Sequence, residues 1–96
     1  MLDTVEKVVY ILTMQLTPVG SNQTEVIING NTVLFSYRTP VAVFIPGRGA
    51  LATIKKYSTT TTRHINNAIH RWGATRIDVP QFEIDCTIEG GGRFVG

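Results

Sequence analysis

The segment Lys55-Lys56-Tyr57-Ser58-Thr59-Thr60-Thr61-Thr62-Arg63-His64-Ile65-Asn66 gathers three cations, five aliphatic hydroxyls and an imidazole within twelve residues. Its chemistry is that of anion binding. Lysine and arginine neutralise charge, and Ser and Thr hydroxyls donate to oxyanions. One of the five hydroxyls is needed as a helix N-cap, accepting from the orphan amides of the first turn. A helix start adds free N–H groups and the positive end of the helix dipole. The spacing therefore predicts a phosphate contact set of Lys55, Lys56, Ser58, Thr60, Thr61, Arg63 and His64. Arg38, Arg48 and Arg71 are outlying electrostatic contributors. The competing reading is structural. A helix needs a cap, threonine suits strand ends, and His64 can serve either phosphate or a hydrogen bond to a strand.

Other chemistry is thinly supplied. No Ser/His/acid or Cys/His arrangement is legible, so the reading is of a non-enzymatic protein. His64 and His70 stand six apart on a helical pattern and cannot share a metal. Cys86 is the single cysteine, which excludes an internal disulfide and a cysteine-based zinc site. No cofactor and no metal are expected. Gly90-Gly91-Gly92 does not lead into a helix, so it is no phosphate loop. Residues 90–96 read as a glycine-rich tail with Phe94 as an anchor for a partner or a second subunit. Tyr37, Phe44 and Tyr57 interleave with the cations. That arrangement can stack bases, although aromatics on strands more often fill cores.

The elements that must position these residues follow from periodicity. Asp3-Thr4-Val5-Glu6 resembles a capping box. Leu12, Met14 and Leu16 alternate with polar residues as a half-buried strand does, and Pro18 to Gln23 reads as a turn. Glu25–Ile28 and Thr32–Tyr37 flank Asn29-Gly30-Asn31, a hairpin signature. Thr39-Pro40 breaks the pattern, since proline favours an edge or a bulge. Val41–Ile45 and Ala50–Tyr57 form a second hairpin around Pro46-Gly47-Arg48-Gly49. Ile65, Ala68, Ile69 and Trp72 make one face of a helix over about 61–72, closed by Gly73. Arg76–Val79 and Phe82–Ile88 read as closing strands, the second alternating Phe82, Ile84, Cys86 and Ile88. That alternation would place Cys86 on the buried face. The sum is a single α+β domain over residues 1–96, an antiparallel sheet of about five to seven strands with one main helix packed on it.

Charge is unevenly spread. Residues 26–77 hold all of Arg38, Arg48, Lys55, Lys56, Arg63, Arg71 and Arg76 and no Asp or Glu. The flanks carry net charges of −2 and −3. An acid-free basic middle suits phosphate-bearing partners, unless the acidic flanks fold back and neutralise it. At 43% hydrophobic and 17% charged residues, the composition excludes intrinsic disorder. No apolar run is long enough to span a membrane. Asp3 and Glu6 stand where a signal peptide would carry Lys or Arg.

Ser36-Tyr37-Arg38-Thr39-Pro40-Val41-Ala42 and Tyr57-Ser58-Thr59-Thr60-Thr61-Thr62-Arg63-His64-Ile65-Asn66 resemble a pair of motifs in a group of small uncharacterised bacteriophage proteins. Their pattern is a Ser-Tyr-x-Thr-Pro-Val-Ala strand, a variable hairpin, then Tyr-Ser-x-Thr-Thr-x-x-His-Ile-Asn opening a helix. The resemblance spans about residues 32–72 and brings no activity with it. It implies a setting, an accessory protein of a phage acting in the host cytoplasm. Three functions fit. One is binding of a phosphate-bearing ligand, either nucleic acid or a nucleotide sequestered against host defence. The second is inhibition of a host enzyme or defence factor by protein binding. The third is self-assembly as a virion component, a homo-oligomer built through strand edges.

Overall fold

The structure, a computed structural model, describes residues 15–90. Six strands follow one another: β1 (Gln15–Gly20), β2 (Gln23–Ile28), β3 (Asn31–Ser36), β4 (Thr39–Ile45), β5 (Gly49–Thr53) and β6 (Arg76–Val79). Helix α1 (Thr59–Trp72) joins β5 to β6, and helix α2 (Gln81–Gly90) follows β6. The sheet order is β1-β2-β3-β4-β5-β6. The first four pairings are antiparallel, and β5 and β6 run parallel around α1. The α+β expectation holds, with six strands in the sheet.

Local chemistry accounts for the turns. Asn29 and Gly30 take φ values of 54° and 82°, the positive angles of a tight hairpin. Pro40 lies where the β3–β4 register shifts, between Leu34 and Phe35, so its missing N–H falls at a bulge. Pro18 does not begin a turn. It lies within β1, on the edge of the described sheet and next to a second register shift, where a missing donor is tolerated. The turn itself is Ser21-Asn22. At Gly49, φ is 140°, and an added Cβ would come within 2.8 Å of the Thr75 carbonyl. Only glycine allows β6 to approach β5 there.

Two apolar layers hold the sheet. Leu34, Val41, Ala42, Ala52, Ile65 and Ala68 are buried between the sheet and α1. Trp72 stacks on Phe44 at 5.8 Å at the edge of this layer. On the opposite face Val26, Val33, Val43, Leu51, Val79 and Ile84 are buried, with Ile88 packed against them. Burying a side chain such as Leu34 or Ile84 is worth about 2 kcal/mol.

The second layer corrects two expectations. Phe82–Ile88 is not a strand but part of α2, so among the described residues two helices flank the sheet, one on each face. In a helix, alternate residues fall about 200° apart. Ile84 therefore faces the sheet, and Phe82 is 65% exposed. Cys86 shares Phe82's side and is exposed rather than buried. The capping box at 3–6, the strand signal before Gln15 and the tail with Phe94 lie outside the described residues.

Candidate functional site

Strand β5 ends at Thr53, whose Oγ1 accepts from the Lys55 amide at 3.1 Å. The chain then leaves the sheet through Lys55, Lys56 and Tyr57 to Ser58, the N-cap of α1. Ser58 Oγ accepts from the Thr61 amide at 3.0 Å, and the Thr62 amide donates to the Ser58 carbonyl at 3.0 Å. The amides of Thr59 and Thr60 meet no hydrogen-bond partner among the described residues. The start of α1 thus sits at the carboxyl ends of two adjacent parallel strands, β5 and β6. This is the end of a parallel unit at which α/β folds bind ligands, and a helix start favours anions.

A cleft of about 250 Å³ opens there, lined by Lys55, Lys56, Thr61, Thr62, Arg76 and Asp78 among others. Arg76 spans it, donating to Asp78 Oδ1 and to Asn66 Oδ1, each at 2.8 Å. The Lys55 ammonium lies 5.2 Å over the ring of Tyr57. Three cations face one carboxylate, so the cleft keeps a positive balance after the Arg76–Asp78 pair is formed.

A second depression, of about 160 Å³, lies on the other side of the cap. Ser36, Tyr37, Thr39 and Val41 line it from β3 and β4, and Tyr57, Ser58 and Thr61 from the helix start. The two motif segments meet here. Thr61 lines both hollows. Beneath them runs a chain of hydroxyls. Ser58 Oγ donates to Thr61 Oγ1 at 3.2 Å, Thr61 Oγ1 lies 3.0 Å from Ser36 Oγ, and Ser36 Oγ lies 2.7 Å from His64 Nδ1. Each hydroxyl has one proton to give, so a chain that starts at Ser58 ends on Nδ1 as acceptor. Neutral His64 then carries its proton on Nε2. Burial, with the Arg63 charge as a smaller cause, lowers the His64 pKa from its usual 6.5 and so favours this neutral form.

The sequence-derived contact set divides accordingly. Lys55, Lys56 and Ser58 are exposed and border the hollows. Thr60 is half-buried and Arg63 exposed, and neither lines a hollow. Thr61 and His64 are only 5% and 6% exposed. His64 is therefore part of the scaffold, bonded to β3, and not a surface phosphate ligand. Arg38 is exposed in the β3–β4 turn at the same end of the sheet, whereas Arg48 tips the β4–β5 turn at the opposite end. Arg71 is paired with Glu25, and Arg76 with Asp78. The acidic flanks do neutralise two cations, but they leave Lys55 and Lys56 without a salt bridge among the described residues.

Sequence reasoning left Thr62 and Arg76 out of the site. A parallel β6 beside β5 brings Arg76 to the cleft, and no local signal announces a parallel pairing. Tyr37 and Tyr57 are 53% and 37% exposed and lie in the β3–β4 turn and the β5–α1 connection, so of the three aromatics only Phe44 stands on a strand and packs inward. Among the described residues no three His, Cys, Asp or Glu side chains gather as a metal site would need. None of the described helices is long and apolar enough to cross a membrane.

Fold and site define a small α+β domain with a cationic cleft at a strand-to-helix turn. Residues 14–85 match the Family of unknown function (DUF8033), and the chain belongs to that family. No curated protein and no solved structure matches the chain.

Proposed function

We propose that the protein is a non-enzymatic binder of a phosphate-bearing ligand, a nucleotide or nucleic acid. The phosphate lies in the cleft at the start of α1. The observation that carries this reading is the convergence of Lys55, Lys56 and Thr62 on a helix N-terminus at the carboxyl ends of β5 and β6. Hydroxyl and ammonium donors together complement a phosphate dianion, and the positive end of the helix dipole lies beside them. The phage-type motifs support a setting in the host cytoplasm, where such a ligand would be withheld from host defence.

The test is calorimetric titration of the protein with inorganic pyrophosphate. Lys56→Glu should weaken binding about tenfold or more, as expected for the loss of a charge-assisted contact. The melting temperature should stay close to that of the wild type, because Lys56 is exposed. Equal affinity in wild type and Lys56→Glu would reject the reading.

A second reading is a docking surface for a host protein. Ile54 and Phe82 favour it, being large apolar side chains 62% and 65% exposed that follow the ends of the adjacent strands β5 and β6. Phe82→Ser, at a position outside the cleft lining, would weaken such an interaction and leave pyrophosphate binding intact.

A further inference from the structure

We infer that the depression bordered by Tyr37 and Tyr57 is a nucleobase subsite, so that the ligand is a nucleoside phosphate and not a bare phosphate or sugar phosphate. This rests on the phosphate reading of the neighbouring cleft. Its own evidence is separate and concerns what lines the second hollow.

The two walls are tyrosine rings that the core does not use. Tyr37 is 53% and Tyr57 37% exposed, and both border the same 160 Å³ space. Tyr57 carries the Lys55 ammonium over one face, which leaves its other face for a π system. Between the walls Thr39 supplies a hydroxyl that can donate to or accept from the polar edge of a planar heterocycle, and the exposed Ser58 Oγ, whose proton goes to Thr61, can accept from it. Aromatic faces with hydrogen-bonding groups between them are the means by which proteins hold single bases.

The backbone of Tyr37 gives a second line of argument. Its φ is 60°, a left-handed conformation that costs a non-glycine residue about 1–2 kcal/mol. Gly or Asn would occupy this turn at lower cost. The conformation is held by the Tyr37 amide, which donates to the Asn22 carbonyl at 2.7 Å, and by the ring, tilted against His64 at 5.9 Å. A strained aromatic at a turn, half exposed beside a hollow, is the kind of backbone outlier that clusters at ligand sites. Strain here fixes the ring as one wall of the subsite.

Charge and position complete the inference. The base hollow and the phosphate cleft share Thr61 as a common wall, so one ligand can occupy both with its sugar across the N-cap. Arg38, beside Tyr37 in the exposed turn, adds positive charge on the base side.

The experiment is calorimetric titration of the full chain with adenosine 5′-monophosphate, ribose 5-phosphate and a short single-stranded oligonucleotide beside its abasic analogue. The monophosphate should bind about tenfold more tightly than ribose 5-phosphate, the usual scale of one stacked base. Tyr57→Ala should remove that difference. Tyr37→Gly should do the same and leave ribose 5-phosphate affinity unchanged, since Tyr37 lies outside the phosphate cleft and glycine tolerates its φ of 60°. If the discrimination appears only between the oligonucleotide and its abasic analogue, and Tyr57→Ala abolishes it, the nucleoside phosphate is a unit of a strand. Equal binding of the monophosphate and ribose 5-phosphate, with no preference for the intact oligonucleotide, would overturn the base subsite and leave the phosphate reading standing. Binding of none of the four probes would overturn both. Loss of ribose 5-phosphate affinity in Tyr37→Gly would assign that ring a structural role and overturn the inference.

Discussion

Ser36 Oγ and His64 Nδ1 lie 2.7 Å apart, fastening the end of β3 to the second turn of α1 across 28 residues of chain. Both side chains are buried. A buried imidazole with an unbonded nitrogen is costly, so this bond, with Thr61 Oγ1 beside it, sets where the start of α1 rests on the sheet. The cleft and the second hollow both border Thr61, so their geometry depends on this contact.

Replacing Ser36 by Ala removes the donor and leaves His64 Nδ1 unsatisfied. The expected cost is about 1–3 kcal/mol, read as a lower urea midpoint at unchanged slope. An unchanged midpoint would show that the contact does not anchor the helix.

The same histidine makes stability depend on pH. Its folded pKa is lowered, by burial first and by Arg63 second. The unfolded chain therefore takes up a proton in a range where the folded protein does not. Where the unfolded state binds more protons, stability rises with pH. The contribution of His64 is thus fully present above about pH 6.5 and declines as the pH falls from there through the folded value. Urea midpoints taken at a series of pH values below neutrality should show this loss, and His64→Gln should flatten it. A profile of equal slope in His64→Gln would place the titration elsewhere.

Glu25 holds the other end of α1. Its Oε2 pairs with Arg71 and accepts from the Trp72 indole at 3.2 Å. Glu25→Ala should cost about 1 kcal/mol, a modest figure because the Arg71 side chain is 39% exposed and screened by water. Trp72 fluorescence should change at the same time, since the indole loses its acceptor. Wild-type emission together with a wild-type midpoint would refute this anchoring.

What could be read in the chain was what is local. Asn29-Gly30 carries its own turn geometry, Ser58 and Gly73 cap the helix that Ile65, Ala68 and Ile69 predict, and Pro40 marks a bulge. Each signal sits within a few residues of its effect. Helix α2 was misread because Phe82, Ile84, Cys86 and Ile88 alternate as a strand does, while the fold buries Ile84 and exposes Phe82. Periodicity cannot tell a half-buried strand from a short helix with apolar residues on two sides. The site was legible in its cations and its cap, since Lys55, Lys56 and Ser58 are where a strand-to-helix turn puts them. It was illegible in Arg76, which reaches the cleft only through the parallel β5–β6 pairing, and in His64. A histidine's exposure depends on which strand lies beneath it, and the partner, Ser36, stands on the far side of a hairpin.

Every strand of this sheet is hydrogen-bonded to its neighbour in sequence. From β1 to β5 such a chain can assemble by successive short loop closures, the regime of low contact order and rapid folding, whereas β6 joins β5 only across α1. The bonds between Ser36 and His64 and between Glu25 and Arg71 close far larger loops, and no hairpin formation brings them about. If these contacts close last, release of α1 leaves β1–β5 paired, and opening of the cleft end is a partial, reversible unfolding separate from loss of the sheet. Amide exchange should record it as faster exchange along α1 than along β3 and β4.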